Sequence, residues 1–178
     1  MITIPIDDQE DFDTTKGEFV TIKGGMIDFE YSLLAIAKWE SKWKKPFLKG
    51  GLNGIETYDF YVTMAVNPID PRLVTDDVME ILSNYIKDES TATTFSKGQN
   101  DDKARTIKQS STAEEIYAMM FNAGIPIEFE SRNFNHLVTI LRVIAAKNNP
   151  PKKMAKEDIY KQNAELNALR RKQLNSKG

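Results

Sequence analysis

Short runs of alternating apolar and polar residues open the chain. Three of them follow the two-residue period of a β-strand, namely residues 2–6, 18–23 and 26–31. Gly24 and Gly25 stand between the last two runs, which predicts a tight hairpin turn there. Residues 7–13 contain five acidic side chains and lack the glycine and final glutamate of a calcium-binding loop, so they predict a solvated acidic loop. Residues 1–31 are therefore predicted to form a small β element.

The hydrophobic period lengthens to that of amphipathic helices after residue 31. Residues suited to cap a helix N-terminus predict three helix starts, at Ser32, Thr75 and Thr112. The pattern predicts five helices, over residues 32–43, 55–66, 75–86 and 112–123 and from residue 131 or 133 to 148.

The last predicted helix has the clearest apolar face. Leu137, Leu141 and Ile144 fall on one side of it and are predicted to be buried. Residues 125–129, just before it, are predicted to be a short extended segment. The fold class expected from these patterns is α+β, with the β element packed on a mainly helical body at residues 32–149.

Two polar segments depart from the helical pattern. Residues 88–111 predict either a disordered loop or a long Thr-rich β-hairpin, which their threonine content favours. A Pro-Pro pair then separates the globular part, residues 1–149, from a linker and basic helix at residues 150–178. Residues 152–178 hold eight Lys and Arg against three acids, hence a net charge of +5. Because its apolar residues are sparse, this helix is a candidate for contacting a partner.

Composition excludes several kinds of site. The 178 residues include no cysteine and a single histidine, His136, which argues against thiol chemistry and Cys- or His-based metal centres. The glycines at positions 50, 51 and 54 lack the Lys-Ser/Thr pair of a phosphate-binding loop. No nucleophile, base and orienting group stand in a readable pattern. We therefore expect no enzyme, no cofactor and no metal.

Charge and hydropathy bear on location and partners. The net charge of −2 argues against binding nucleic acid through the charge of the whole protein. The longest apolar stretch, residues 137–146, is too short to cross a bilayer, and the first residues lack the pattern of a secretory signal. A cytosolic protein without membrane contact is expected.

A basic aromatic patch is predicted at the end of the first helix. It consists of Trp39 and Trp43 with Lys42 and Lys45 among their neighbours. Such a patch can stack nucleic-acid bases. The spacing of the two tryptophans, i and i+4, favours instead one core-facing helix edge with lysines extending to solvent.

Several motifs together resemble one family. They are Lys38-Trp-Glu-Ser-Lys-Trp-Lys-Lys-Pro-Phe47, Thr91-Ala-Thr-Thr-Phe95, Asn149-Pro-Pro-Lys-Lys-Met-Ala-Lys-Glu-Asp158 and Asn163-Ala-Glu-Leu-Asn-Ala-Leu-Arg-Arg-Lys172. In this order they resemble the tail-morphogenesis proteins of long-tailed bacteriophages of Gram-positive hosts, members of which are called tail assembly chaperones. The resemblance covers nearly the whole chain.

The resemblance implies a function in virion morphogenesis. It implies that the protein binds the tape-measure protein, a long helical chain with exposed apolar faces, or other tail subunits, in the host cell cytoplasm. The alternatives are a structural virion protein of the tail or neck and, second, a nucleic-acid-binding accessory protein. Acid at one end of the chain and base at the other also permits a homo-oligomer. The candidate partner-binding residues are Trp39, Lys42, Trp43, Lys45, Tyr160, Leu166, Leu169, Arg170 and Arg171.

Overall fold

The computed structural model describes residues 1–15, 17–88, 91–93 and 112–148, together with residues 160, 163, 164, 166, 167 and 170. The chain divides into two compact units, Met1–Lys147 and Asn148–Gly178. The boundary expected from the sequence, between residues 149 and 150, is close to this division. Most of the predicted loop or hairpin at residues 88–111 lies outside the described residues.

Four short strands precede the helices and pair in a nested order. β1 (Ile2–Ile6) pairs with β4 (Gly25–Phe29), and β2 (Gln9–Asp13) pairs with β3 (Glu18–Ile22). Both pairs are antiparallel, and residues 14–17 connect β2 to β3. The result is two small two-stranded sheets formed by the inner and outer parts of one long hairpin.

This pairing corrects two predictions. The hairpin expected at Gly24 and Gly25 is wrong, because β3 and β4 on either side of them pair with different strands. The loop expected over residues 7–13 is also wrong for most of its length, because Gln9–Asp13 is β2. Acidic side chains on both faces of this strand obscured its alternating pattern.

Gly24 lies where the hairpin passes from one sheet to the other. A Cβ atom at this position would be 2.0 Å from the carbonyl oxygen of Ile6, so a side chain does not fit. The Gly24 N–H donates to Oδ1 of Asp8 (2.9 Å), and Lys23 Nζ donates to Oδ2 of the same carboxylate (2.5 Å). Both contacts lower the pKa of Asp8, Lys23 more than Gly24. Close backbone approach is the reason for glycine here.

Five α-helices follow within the described residues up to Asn148. They are α1 (Leu33–Trp43), α2 (Gly54–Thr63), α3 (Asp76–Lys87), α4 (Ala113–Asn122) and α5 (Phe134–Asn148). Ser32, Thr75 and Thr112 cap α1, α3 and α4 through their side-chain oxygens, as the sequence predicts. The extended segment expected at residues 125–129 is wrong, because Ile127–Ser131 forms a 3-10 helix. Of the two predicted starts of the last helix, Asn133 is the cap, since its Oδ1 accepts from His136 N–H (3.3 Å).

The core of the first unit is continuous from the strands to α5. Its largest fully buried apolar side chains come from β4 and all five helices: Phe29, Leu33, Ile36, Trp39, Phe60, Leu82, Ile116, Met120, Phe134 and Leu137. Leu137 and Leu141 are buried as expected, whereas Ile144, nearer the end of α5, is only half-buried. Short antiparallel sheets and five helices make the fold α+β, which confirms the predicted class. None of the helices described is long and apolar enough to span a bilayer.

Candidate functional site

Trp39 and Trp43 lie where α1 packs on α2. The Trp39 side chain is fully buried, and its Nε1–H donates to the carbonyl oxygen of Glu56 (2.9 Å). Trp43 is half-buried, and its Nε1–H donates to Oδ2 of Asp59 (2.7 Å). The two rings stack with centroids 6.0 Å apart. The sequence-based proposal of Trp39 as a partner-binding residue therefore needs correction, because its ring is in the core and cannot contact a partner or a base.

Lys42 and Lys45 form the charged edge of the same contact. Lys42 pairs with Asp59, and Lys45 pairs with Glu56. The lysine side chains remain 62% and 57% exposed. Each lysine charge is therefore matched by an acid of α2, although both amines stay accessible to a partner.

Glu56 is the buried half of one of these pairs. Its Oε2 accepts from the backbone N–H of Asn53 (3.0 Å), and Asn53 Oδ1 accepts from Glu56 N–H (2.9 Å), which forms a capping box at the start of α2. Oε1 accepts from Lys45. The Lys45 ammonium, followed by the Asn53 amide, lowers the pKa of Glu56 below its ordinary value. The charged carboxylate therefore holds the end of α1 to the start of α2.

Acid should weaken this contact through Glu56. A carboxyl group whose folded pKa is lowered stabilises the folded state fully above its unfolded pKa, about 4.3. That stabilisation is lost as the pH falls from there through the folded pKa. Denaturant unfolding measured against pH should give a shallower acid slope for Glu56→Gln than for the wild type. Glu114→Gln, an exposed position on α4, is the control, and equal slopes for the wild type and Glu56→Gln would contradict this role.

Glu40 is a buried residue that the sequence analysis did not single out. Its Oε1 accepts from the N–H of Phe47 and its Oε2 from the N–H of Ala113, both at 2.8 Å. One carboxylate thus joins α1 to the 3-10 helix Phe47–Lys49 and to the N-terminus of α4, 73 residues further along the chain. In the sequence, Glu40 directly follows Trp39 on the first predicted helix.

A second polar cluster connects the strands to α3 and α5. Glu30 Oε1 accepts from the Tyr85 hydroxyl (2.6 Å) and from Asn133 Nδ2 (3.2 Å). Burial, and then the bond to Glu30, raises the pKa of Tyr85. This phenol is therefore protonated at neutral pH and serves as a hydrogen-bond donor. The cluster positions three parts of the chain and presents no activated nucleophile.

An open depression of about 570 Å³ borders this cluster. Glu30, Glu128, Arg132 and His136 are among the residues that line it. The described residues provide no hydrogen bond to the His136 ring, and they contain no group of three or more side chains suited to hold a metal ion. Ser131 also lines the depression, and its hydroxyl donates to the carbonyl oxygen of Glu128 (3.0 Å).

The C-terminal candidates are described in part. Tyr160, Leu166 and Arg170 are helical and exposed, and the side chains of Tyr160 and Leu166 are 74% and 49% exposed. Leu169 and Arg171 lie outside the described residues. The described candidates of this segment are therefore available to a partner, in contrast to Trp39.

Comparison with known protein families, curated proteins and solved structures gives no match for this chain.

Proposed function

We propose that the chain is a bacteriophage tail assembly chaperone that binds the tape-measure protein, or another tail subunit, during morphogenesis. The observation that carries the proposal is the exposure of Tyr160 and Leu166 in a helical segment with a net charge of +5 over residues 152–178. Two large side chains exposed to water in a basic segment are typical of a surface that a partner covers. The motif resemblance supplies the kind of partner.

The exposed apolar and basic residues of the C-terminal segment suit a partner of this kind. A tape-measure protein presents apolar helical faces before the tail tube surrounds it. A helix with exposed apolar residues can pack along such a face while its lysines and arginines keep the complex in solution. Lys42 and Lys45 add accessible positive charge on the globular unit, whereas Trp39 contributes only to stability.

The proposal assigns partner binding to the C-terminal segment and stability to the first unit, so mutations should affect the two properties separately. Deletion of residues 156–178 should leave Met1–Lys147 folded, because the core of that unit is built from its own strands and helices. The deletion should reduce co-purification with the tape-measure protein of the same phage by about tenfold or more. Tyr160→Ser combined with Leu166→Ser should have a similar effect.

The control is Ile55→Ser, which removes a side chain that is 72% exposed at the start of α2. This variant should bind as the wild type does. Circular dichroism and thermal unfolding establish that each variant is folded. Undiminished binding by the double variant and the deletion would contradict the proposal, as would global unfolding of the deletion.

A further inference from the structure

The β2–β3 sheet carries an exposed aromatic pair on one face. Phe12 and Phe19 are direct partners in the register, and their rings pack edge to face with centroids 5.2 Å apart. They are 46% and 76% exposed. Glu10 and Thr21, also paired and exposed, complete this face. We call these four residues the outer face of the sheet.

The opposite face of the same sheet is held to the body of the protein. Ile22 is buried in the core, and Asp11 Oδ2 accepts from Arg72 Nη1 (2.9 Å). Arg72 is in turn held by Asp70, at 2.8 Å between Nη2 and Oδ2. The aromatic pair is therefore presented outward by a sheet whose other side is anchored.

The sheet that carries the aromatic pair is rich in acidic residues. Residues 7–13 include five acids and no base. Asp8 is paired with Lys23, and Asp11 is paired with Arg72. Asp7 and Glu10 are exposed, and neither makes an ion pair among the described residues. Glu18, exposed at the start of β3, adds another negative charge to the sheet, although the register places it on the face opposite to Phe19. An exposed aromatic pair on an acidic sheet suits a basic segment that carries apolar side chains.

We propose that the outer face binds the C-terminal segment of a second copy of this chain. Residues 152–178 have the required opposite charge, +5, and the exposed side chains of Tyr160 and Leu166 to cover Phe12 and Phe19. Phe12 and Phe19 are exposed side chains of the first unit, and Tyr160 and Leu166 are exposed side chains of the second. A second copy supplies the missing partner of each surface.

The geometry of this contact determines the kind of assembly. The two surfaces are different, so the interface is heterologous, and a pair of copies joined by one contact keeps one unused surface of each kind. Copies therefore join head to tail into a ring or a filament. Because a tail protein would use the same C-terminal segment, the two associations exclude each other. The self-contact itself requires no tail protein and is tested without one.

Sedimentation velocity of the full chain tests the role of the aromatic pair. The wild type should form oligomers whose fraction rises with protein concentration and falls with salt, because the contact joins an acidic sheet to a basic segment. Phe12→Ser combined with Phe19→Ser should weaken association by about tenfold or more. Phe121→Ser, which removes a phenylalanine 60% exposed on α4, is the matched control and should leave association unchanged. A wild type that stays monomeric at all concentrations would overturn the proposal. This outcome includes the case in which the C-terminal segment binds the sheet of its own chain.

A charge exchange tests the identity of the two surfaces. One variant changes Asp7, Glu10 and Glu18 to Lys and spares Asp8 and Asp11, which make ion pairs within the chain. The other variant changes four basic residues to Glu, namely Lys161, Arg170, Arg171 and Lys172. Each change lowers the net charge by two, so the net charge of residues 152–178 falls from +5 to −3. Each variant alone should be monomeric, and an equimolar mixture should associate again. Failure of the mixture to associate while both variants are folded would overturn the assignment.

Discussion

Replacement of Trp39 by alanine should lower the free energy of unfolding by about 3–5 kcal/mol. The ring is fully buried, contacts Phe47 edge to face with centroids 5.3 Å apart, and donates to the carbonyl oxygen of Glu56. The substitution removes this packing, leaves a cavity between α1 and α2, and leaves a carbonyl group without its donor. Urea unfolding followed by circular dichroism measures the loss.

The neighbouring tryptophan provides the matched control for this result. Trp43 is half-buried and hydrogen-bonds to Asp59 at the surface, so Trp43→Ala should cost clearly less than Trp39→Ala. A loss below about 1 kcal/mol for Trp39→Ala would contradict the core role, because a fully buried large side chain cannot be removed so cheaply.

The second large effect is expected at Glu40. Glu40→Ala leaves the N–H groups of Phe47 and Ala113 without their acceptor inside the protein. Each unsatisfied donor in the interior costs about 1–3 kcal/mol, so the loss of two should lower the stability by about 2–6 kcal/mol. The N-terminus of α4 should also become less protected, which amide hydrogen exchange at Ala113 would report.

Glu40→Gln tests how much stability is lost when only one of the two hydrogen bonds to Glu40 is lost. The amide oxygen of glutamine can accept one of the two hydrogen bonds, so this variant should fall between the wild type and Glu40→Ala. Equal stability of Glu40→Ala and the wild type would contradict the proposed link between α1 and α4.

Local signals in the sequence predict the helices well. Ser32, Thr75 and Thr112 cap their helices because a side-chain oxygen and an N–H three residues later lie within one turn. The apolar face at Leu137 and Leu141 is buried because helical spacing alone places these side chains on one side. Such features depend on a few neighbouring residues, and one sequence is enough to read them.

Strand pairing depends on contacts that the local pattern does not contain. Gly24 and Gly25 resemble a hairpin turn, yet Gly24 serves the close approach of the Ile6 carbonyl group, which belongs to a distant strand. The acidic residues of β2 hide its alternation, since Asp11 on the anchored face is satisfied by Arg72, 61 residues away. The register of such strands follows from the tertiary structure.

The candidate site also contains features that local sequence predicts and features that depend on long-range contacts. The i, i+4 spacing of Trp39 and Trp43 correctly favours a helix edge packed in the core. The lysines near these tryptophans instead suggested an exposed binding patch. Glu40 and Glu56 could not be identified as buried carboxylates from the sequence, because Ala113 and Lys45, which donate to them, lie on other elements. The aromatic pair was also missed, because only the β2–β3 register brings Phe12 beside Phe19.

Quantitative mass spectrometry during infection tests the proposed role most directly. The protein is isolated from infected cells by an affinity tag, and finished virions are purified from the same culture. A tail assembly chaperone should be recovered with the tape-measure protein from the cells and be absent from the virions. A fixed number of copies in every virion would contradict the account and identify the chain as a structural part of the particle.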